Sequence, residues 1–197
     1  MSKLRVPFDR AVGLALEIKN RLDSGCKRIE VAGSLRRRKP HVGDLELVAI
    51  PLPHGELFTQ RCPDEDLDAL LSRLISDGVL HNPQLCGPKY RKYESARLAG
   101  LFLDLFLCDV ETWGVLFAIR TGPAAYSKRL VTPTSKGGLL RNDLKVHRGR
   151  VWEPLDGIAR LGSLAEGEWR ALPTREERDF LELCGGWREP ERRGGGQ

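Results

Sequence analysis

Two carboxylates stand two residues apart, Asp44 and Glu46, directly after "GSLRRRKPHVG", which gathers a Gly-Ser pair and three consecutive arginines. "DLELVAIPL" reads as a strand stopped by Pro51 and Pro53. Residues i and i+2 of a strand project to one face, about 6.5 Å apart. Asp44 and Glu46 therefore point together, while Leu45 and Leu47 turn toward a core. Two such acids repel unless cations lie between them. All-oxygen ligands suit Mg²⁺ or Mn²⁺ rather than zinc. Two ions about 3.5–4 Å apart can clamp both the attacking and the leaving oxygen of an in-line displacement. A bare Asp-x-Glu is also what the solvent face of an ordinary strand presents.

Asp104 stands alone in the apolar strand "LFLDLFL", with Phe102 and Phe106 as its neighbours on one face. A buried carboxylate without a partner is costly. A metal shared with Asp44 and Glu46 would supply one, and so would an arginine. Gly33 lets backbone approach a ligand closely, and Ser34 adds a hydroxyl and an N–H for a phosphate oxygen. The arginines beyond can neutralise a triphosphate by bidentate contacts. A strand, a Gly-Ser turn, an arginine, a loop and a second strand with spaced acids form a nucleotidyltransferase arrangement. The phosphates would sit on the turn and two metal ions on the acids.

The elements that must position these residues are legible. Phe8, Ala11, Val12, Ala15, Ile18 and Leu22 recur at helical spacing after Pro7, and "RIEVAGS" reads as a strand feeding a turn. Leu67, Leu70, Leu71, Leu74 and Ile75 make a second helical stripe, with Asp64, Glu65 and Asp66 in its first turn and Gly78 past its end. A Pro- and Gly-rich loop follows. "KYRKYESARL" and "LFLDLFLCD" read as paired strands turning at Ala99-Gly100. The composition then shifts, with a boundary expected near Asp109 to Trp113. "TWGVLFAIRTG" and "PAAYSKRLV" read as short helices joined at Thr121-Gly122-Pro123. "DLKVHRGRVWE" reads as a hairpin turning at Arg148-Gly149. "PTREERDFLEL" reads as a helix capped by Thr174, with Glu177 completing a capping box and Gly185-Gly186 ending it. The tail "ERRGGGQ" reads as disordered.

The chain has 197 residues, 41% of them apolar, which suits a globular fold of one domain or two small ones. Its net charge of +5 favours anionic partners. No apolar run approaches the ~20 residues of a membrane span, and "MSKLRVPFDR" lacks a signal-peptide core. Five scattered cysteines, none at C-x-x-C spacing, argue against a zinc site or a disulfide framework. A cytoplasmic location is expected.

Taken in order, these segments resemble family X DNA polymerases, the group of DNA polymerase beta. "VAGSLRRRKPHVGDLELV" is similar to the family's G-S-x-R-R…G-D-x-D block, and "LFLDLFL" to the strand with its third catalytic Asp. "FAIRTGPAAYSKRL" is similar to the block whose core is Y-F-T-G-S, and "PTREERDFLELCGGWREPERR" to the C-terminal helix and the Y-R-E-P segment after it. The resemblance implies an α+β fold. Residues 1–110 would form a nucleotidyltransferase palm, a mixed sheet with helices on one face. Residues 111–197 would form a small α+β C-terminal subdomain that binds nucleotide and DNA.

It also implies that Asp44, Glu46 and Asp104 hold two Mg²⁺, with Mn²⁺ as the alternative, and that Asp104 activates the primer 3′-hydroxyl. Gly33, Ser34, Arg37 and Gly43 would hold the triphosphate. Thr121 and Gly122 would lie against the sugar and base of the incoming nucleotide, with Ser127 at the base edge. From charge rather than from the resemblance, contacts to the DNA backbone are expected from basic residues such as Lys128, Arg129, Lys145 and Arg148. The reaction would transfer a nucleotide from a deoxynucleoside triphosphate to a 3′-hydroxyl, releasing pyrophosphate, as in gap filling during DNA repair.

The chain departs from the family in having Glu46 for the usual Asp, Ile119-Arg120 for the Tyr-Phe pair, and Ser127 for an Asn. The chain begins almost at the palm, which is similar to reduced viral members and leads to an expectation of phage or virus origin. The family's bond after this glycine is cis, so a cis Gly122-Pro123 bond is expected. A template-independent or small-molecule nucleotidyltransferase shares the same core of residues. A non-catalytic DNA-end-binding module is the third reading.

Overall fold

A computed structural model describes residues 5–53, 66–156 and 168–193. The chain divides into two compact units, Met1–Asp109 and Val110–Gln197. The first is built on a five-stranded mixed sheet and the second on a three-stranded antiparallel sheet with helices. Both are α+β.

In the first unit β1 (Val6–Pro7) leads into α1 (Phe8–Leu22), then β2 (Cys26–Val31), the single helical turn α2 (Gly33–Arg36), β3 (His41–Val42) and β4 (Leu45–Pro51). After it come α3 (Leu67–Ser76), β5 (Leu80–Cys86), β6 (Tyr90–Ser95) and β7 (Phe102–Leu107). The sheet order is β2-β4-β7-β6-β5. The β4–β7 pair is parallel, and the other neighbours are antiparallel. Strand alternation sorts the side chains. Leu45, Leu47 and Ala49 of β4 join Leu103, Leu105 and Leu107 of β7 in one core with Ala11, Leu14, Ala15 and Ile18 of α1 and Leu70, Leu71 and Leu74 of α3. The opposite face carries Glu46 and Asp104.

The stripe of α3 is preceded by Asp66, whose side chain accepts from the Asp68 N–H at 3.5 Å as its N-cap. Asp64 and Glu65, expected in the same turn, lie outside the described residues. The segment read as a Pro- and Gly-rich loop contains β5, an edge strand. Pro83 cannot donate to the ladder, and the register shifts on either side of it. An edge position and bulges tolerate that proline, and they erase the alternation that would mark a strand.

The second unit runs through α4 (Trp113–Thr121), α5 (Ala124–Leu130), β8 (Lys145–His147), β9 (Arg150–Pro154), β10 (Trp169–Leu172) and α6 (Glu177–Glu182). The sheet order is β10-β9-β8. Val115, Ala118, Tyr126, Leu130, Leu144, Val151, Phe180 and Leu181 form its core. At Gly114 an added Cβ would stand 2.3 Å from the Glu176 carbonyl oxygen and 2.4 Å from that of Thr174, so α4 meets this backbone where only glycine fits.

Three expectations are corrected here. The cap of α6 is Glu176 paired with Asp179, two residues past Thr174, whose side chain is buried instead. Of the tail expected to be disordered, residues 191–193 are ordered, with Arg193 fully buried and ion-paired with Glu177, and residues 194–197 lie outside the described residues. The Gly122–Pro123 bond is trans. Pro123 stands just ahead of α5 with φ −68° and ψ 157°, and its carbonyl accepts the Ser127 N–H at 2.9 Å. A proline at a helix start has the φ it needs, and nothing there opposes the ordinary trans preference.

Candidate active site on the first unit

The Gly-Ser turn follows β2. Gly33 has φ +61°, a left-handed conformation that glycine adopts without strain. A Cβ there would fall 1.8 Å from Glu46 Oε2, so the Glu46 carboxylate lies directly on the Gly33 backbone. The Ala32 N–H donates to the Glu46 carbonyl at 2.8 Å, which locks the turn to β4. The Ser34 hydroxyl is buried and makes no hydrogen bond. The turn stops at Arg38, whose φ of +52° is also left-handed, with Arg38 N–H donating to Leu35 O at 2.9 Å and Lys39 N–H to Ser34 O at 3.1 Å.

The loop between the turn and β4 is fastened from the N-terminal side. Val6 pairs with Val42 and Pro7 with His41, Val42 is buried, and the Phe8 N–H donates to Pro40 O at 3.0 Å. That anchoring places Gly43 and Asp44, both half-buried, immediately before β4. Arg37 is half-buried beside the acids. Burial pulls its guanidinium below the ordinary value, while Glu46 and then Asp44 push the other way.

Parallel pairing of β4 with β7 makes Glu46 and Asp104 direct register partners. The two acids are distant in sequence and adjacent in the sheet. Asp104 is largely buried, with 13% of its side chain exposed. Its partners come from β6, and sequence reasoning missed both. The Tyr90 hydroxyl donates to Asp104 Oδ1 at 2.5 Å, and the Lys92 ammonium lies 3.7 Å from the same oxygen. The signal was present in "KYRKYES": Tyr90 and Lys92 alternate on one face of a strand expected to pair with that of Asp104.

Among the described residues, no three His, Cys, Asp or Glu side chains stand together with metal-holding spacing. Glu46 lies against the Gly33 backbone, and Asp104 is held by Tyr90 and Lys92. The donor set still suits Mg²⁺ in kind: hard carboxylate oxygens on adjacent strands, next to a buried serine hydroxyl that makes no hydrogen bond. A separate cavity of about 320 Å³, lined by Leu71, Ile75, Pro83, Cys86, Arg91 and Tyr93 among others, touches none of these residues.

The other expected contacts belong to the second unit. Thr121 is fully buried at the end of α4. At Gly122 a Cβ would come within 2.7 Å of the Tyr126 ring, so this glycine lets α5 approach. The Ser127 hydroxyl donates to the Ile119 carbonyl at 2.6 Å, which occupies it within the α4–α5 corner. Lys128, Arg129 and Arg148 are exposed. The Lys145 ammonium sits 4.4 Å from the centre of the Trp169 ring.

Among the described residues, no helix is long and apolar enough to cross a membrane. No family model matches this chain, and no curated protein matches it.

Proposed function

We propose that the chain is a Mg²⁺-dependent nucleotidyltransferase of the family X DNA polymerase type, which adds a nucleotide from a dNTP to a primer 3′-hydroxyl and releases pyrophosphate. Gap filling in DNA repair is the corresponding role. The observation that carries this reading is the register match of Glu46 with Asp104 on adjacent parallel strands, with the Gly33-Ser34 turn lying against Glu46.

Asp44, Glu46 and Asp104 would hold the metal ions. Mg²⁺ held by them would supply charge neutralisation at the phosphates and would make the attacking hydroxyl more acidic. Ser34 donates its hydroxyl to a phosphate oxygen, and Arg37 neutralises phosphate charge from a half-buried position where each contact counts for more than in water. Asp104 accepts the proton of the 3′-hydroxyl. Positioning and electrostatics carry the rate. On the resemblance alone, Thr121, Gly122 and Ser127 are assigned to the nucleotide; on their charge, Lys128, Arg129, Lys145 and Arg148 are assigned to DNA.

Asp104 already held by Tyr90 and Lys92 favours a second reading, a DNA-end-binding module without catalysis. Primer extension on gapped and blunt DNA with Mg²⁺ or Mn²⁺ decides. Templated products that Asp44→Ala and Asp104→Ala each abolish are expected. Untemplated additions would select the template-independent enzyme. DNA binding without incorporation would select the module.

A further inference from the structure

The two phenylalanines that flank Asp104 each steady one of its partners. Tyr90 pairs with Phe106 across β6–β7, and their rings stack at 5.0 Å with 20° between planes. Lys92 pairs with Asp104 itself, and its ammonium lies 4.7 Å from the centre of the Phe102 ring. Stacking fixes the tyrosine ring, and the face of Phe102 attracts the ammonium. Both donors converge on Oδ1. Among the described residues, Oδ2 accepts no hydrogen bond.

We propose that Tyr90 and Lys92 are positioning residues for Asp104, which hold Oδ1 so that Oδ2 is left for the divalent cation. This rests on the nucleotidyltransferase reading above. A second consequence follows from charge. The Lys92 ammonium stands where it opposes a divalent cation on the same carboxylate, so the cation binds exchangeably. A carboxylate fixed in this way needs no reorganisation when the cation and substrate arrive.

A cross-strand pair with a purely structural role would change stability and leave cation affinity alone. The test therefore reads Mn²⁺ binding directly, by electron paramagnetic resonance of free Mn²⁺ without nucleotide or DNA, beside steady-state single-nucleotide extension. Lys92→Met is expected to bind Mn²⁺ about five- to tenfold tighter, because one opposing charge is gone. Its kcat falls about tenfold while KM for the dNTP stays within about twofold, the mark of a lost transition-state interaction. Lys92→Arg restores both values. Tyr90→Phe keeps the ring on Phe106, loses kcat to a similar extent, and remains a usable test if Lys92→Met fails to fold.

Wild-type binding of Mn²⁺ with unchanged or weaker affinity in Lys92→Met overturns the proposal and spares the functional reading. So does full kcat in Tyr90→Phe. Failure of the wild type to bind Mn²⁺, with Asp44→Asn indistinguishable from it, overturns the functional reading and this proposal together.

Discussion

Arg193 lies in a tail that composition marks as disordered, yet its side chain is 0% exposed. Its Nη1 donates to Glu177 Oε1, its Nε donates to the Arg188 carbonyl at 2.9 Å, and its guanidinium lies 5.1 Å from the Trp187 ring centre. Glu177 is 6% exposed. Arg193→Met keeps most of the volume and removes the charge, leaving a carboxylate buried beside an apolar chain. Breaking one side of a buried pair costs about 3–5 kcal/mol, whereas replacing both sides with apolar groups is often neutral. For a unit of this size each kcal/mol moves Tm by about 4–8 °C, so a loss of more than about 12 °C is expected. Arg193→Met combined with Glu177→Leu should recover to within about 1 kcal/mol of wild type. All four tryptophans, Trp113, Trp152, Trp169 and Trp187, fall in the second unit, so tryptophan fluorescence during urea unfolding reports on it selectively. If Arg193→Met stays within about 1 kcal/mol of wild type, the pair does not hold the tail, and the argument from burial is wrong.

Gly33→Ala places a Cβ against the Glu46 carboxylate in a left-handed backbone; a stability loss of about 2 kcal/mol or more is expected on urea unfolding, with nucleotide incorporation lost in the same variant. Arg148 and Gly149 both have positive φ, +50° and +79°, in the two-residue turn joining β8 to β9, so Arg148→Asn should raise stability by about 0.5–1 kcal/mol in thermal melts. Burial pushes the Cys26 and Cys184 thiols from an ordinary 9.0 up to about 12. The native state keeps protons there that the unfolded chain releases. Stability should therefore hold below pH 9 and fall between pH 9 and 12, by up to about 1.4 kcal/mol per pH unit for each thiol. Iodoacetamide at pH 8 should modify exposed Cys86 and leave those two intact, as read by peptide mass spectrometry.

Local order in the chain set much of this structure. The stripes of α1 and α3, the alternation in β4 and β7, and the turn at Arg148-Gly149 follow from residues within a few positions of one another, which is the range over which backbone sterics and side-chain period act. The face that Glu46 takes on β4 follows from the same period, whereas Asp44, expected in that strand, stands just before it. What adjoins that face was decided elsewhere. Strand order and direction depend on packing across the sheet, and no local pattern announces that β4 runs parallel to β7 and brings Asp104 beside Glu46. The hold of Tyr90 and Lys92 on Asp104 depends on that register too. At Pro123 the helix start left the bond trans. Arg193 is ordered because Glu177, buried on α6, requires a countercharge. In each case the deciding contact joins residues far apart in the chain, and its energy exists only once the fold has closed around it.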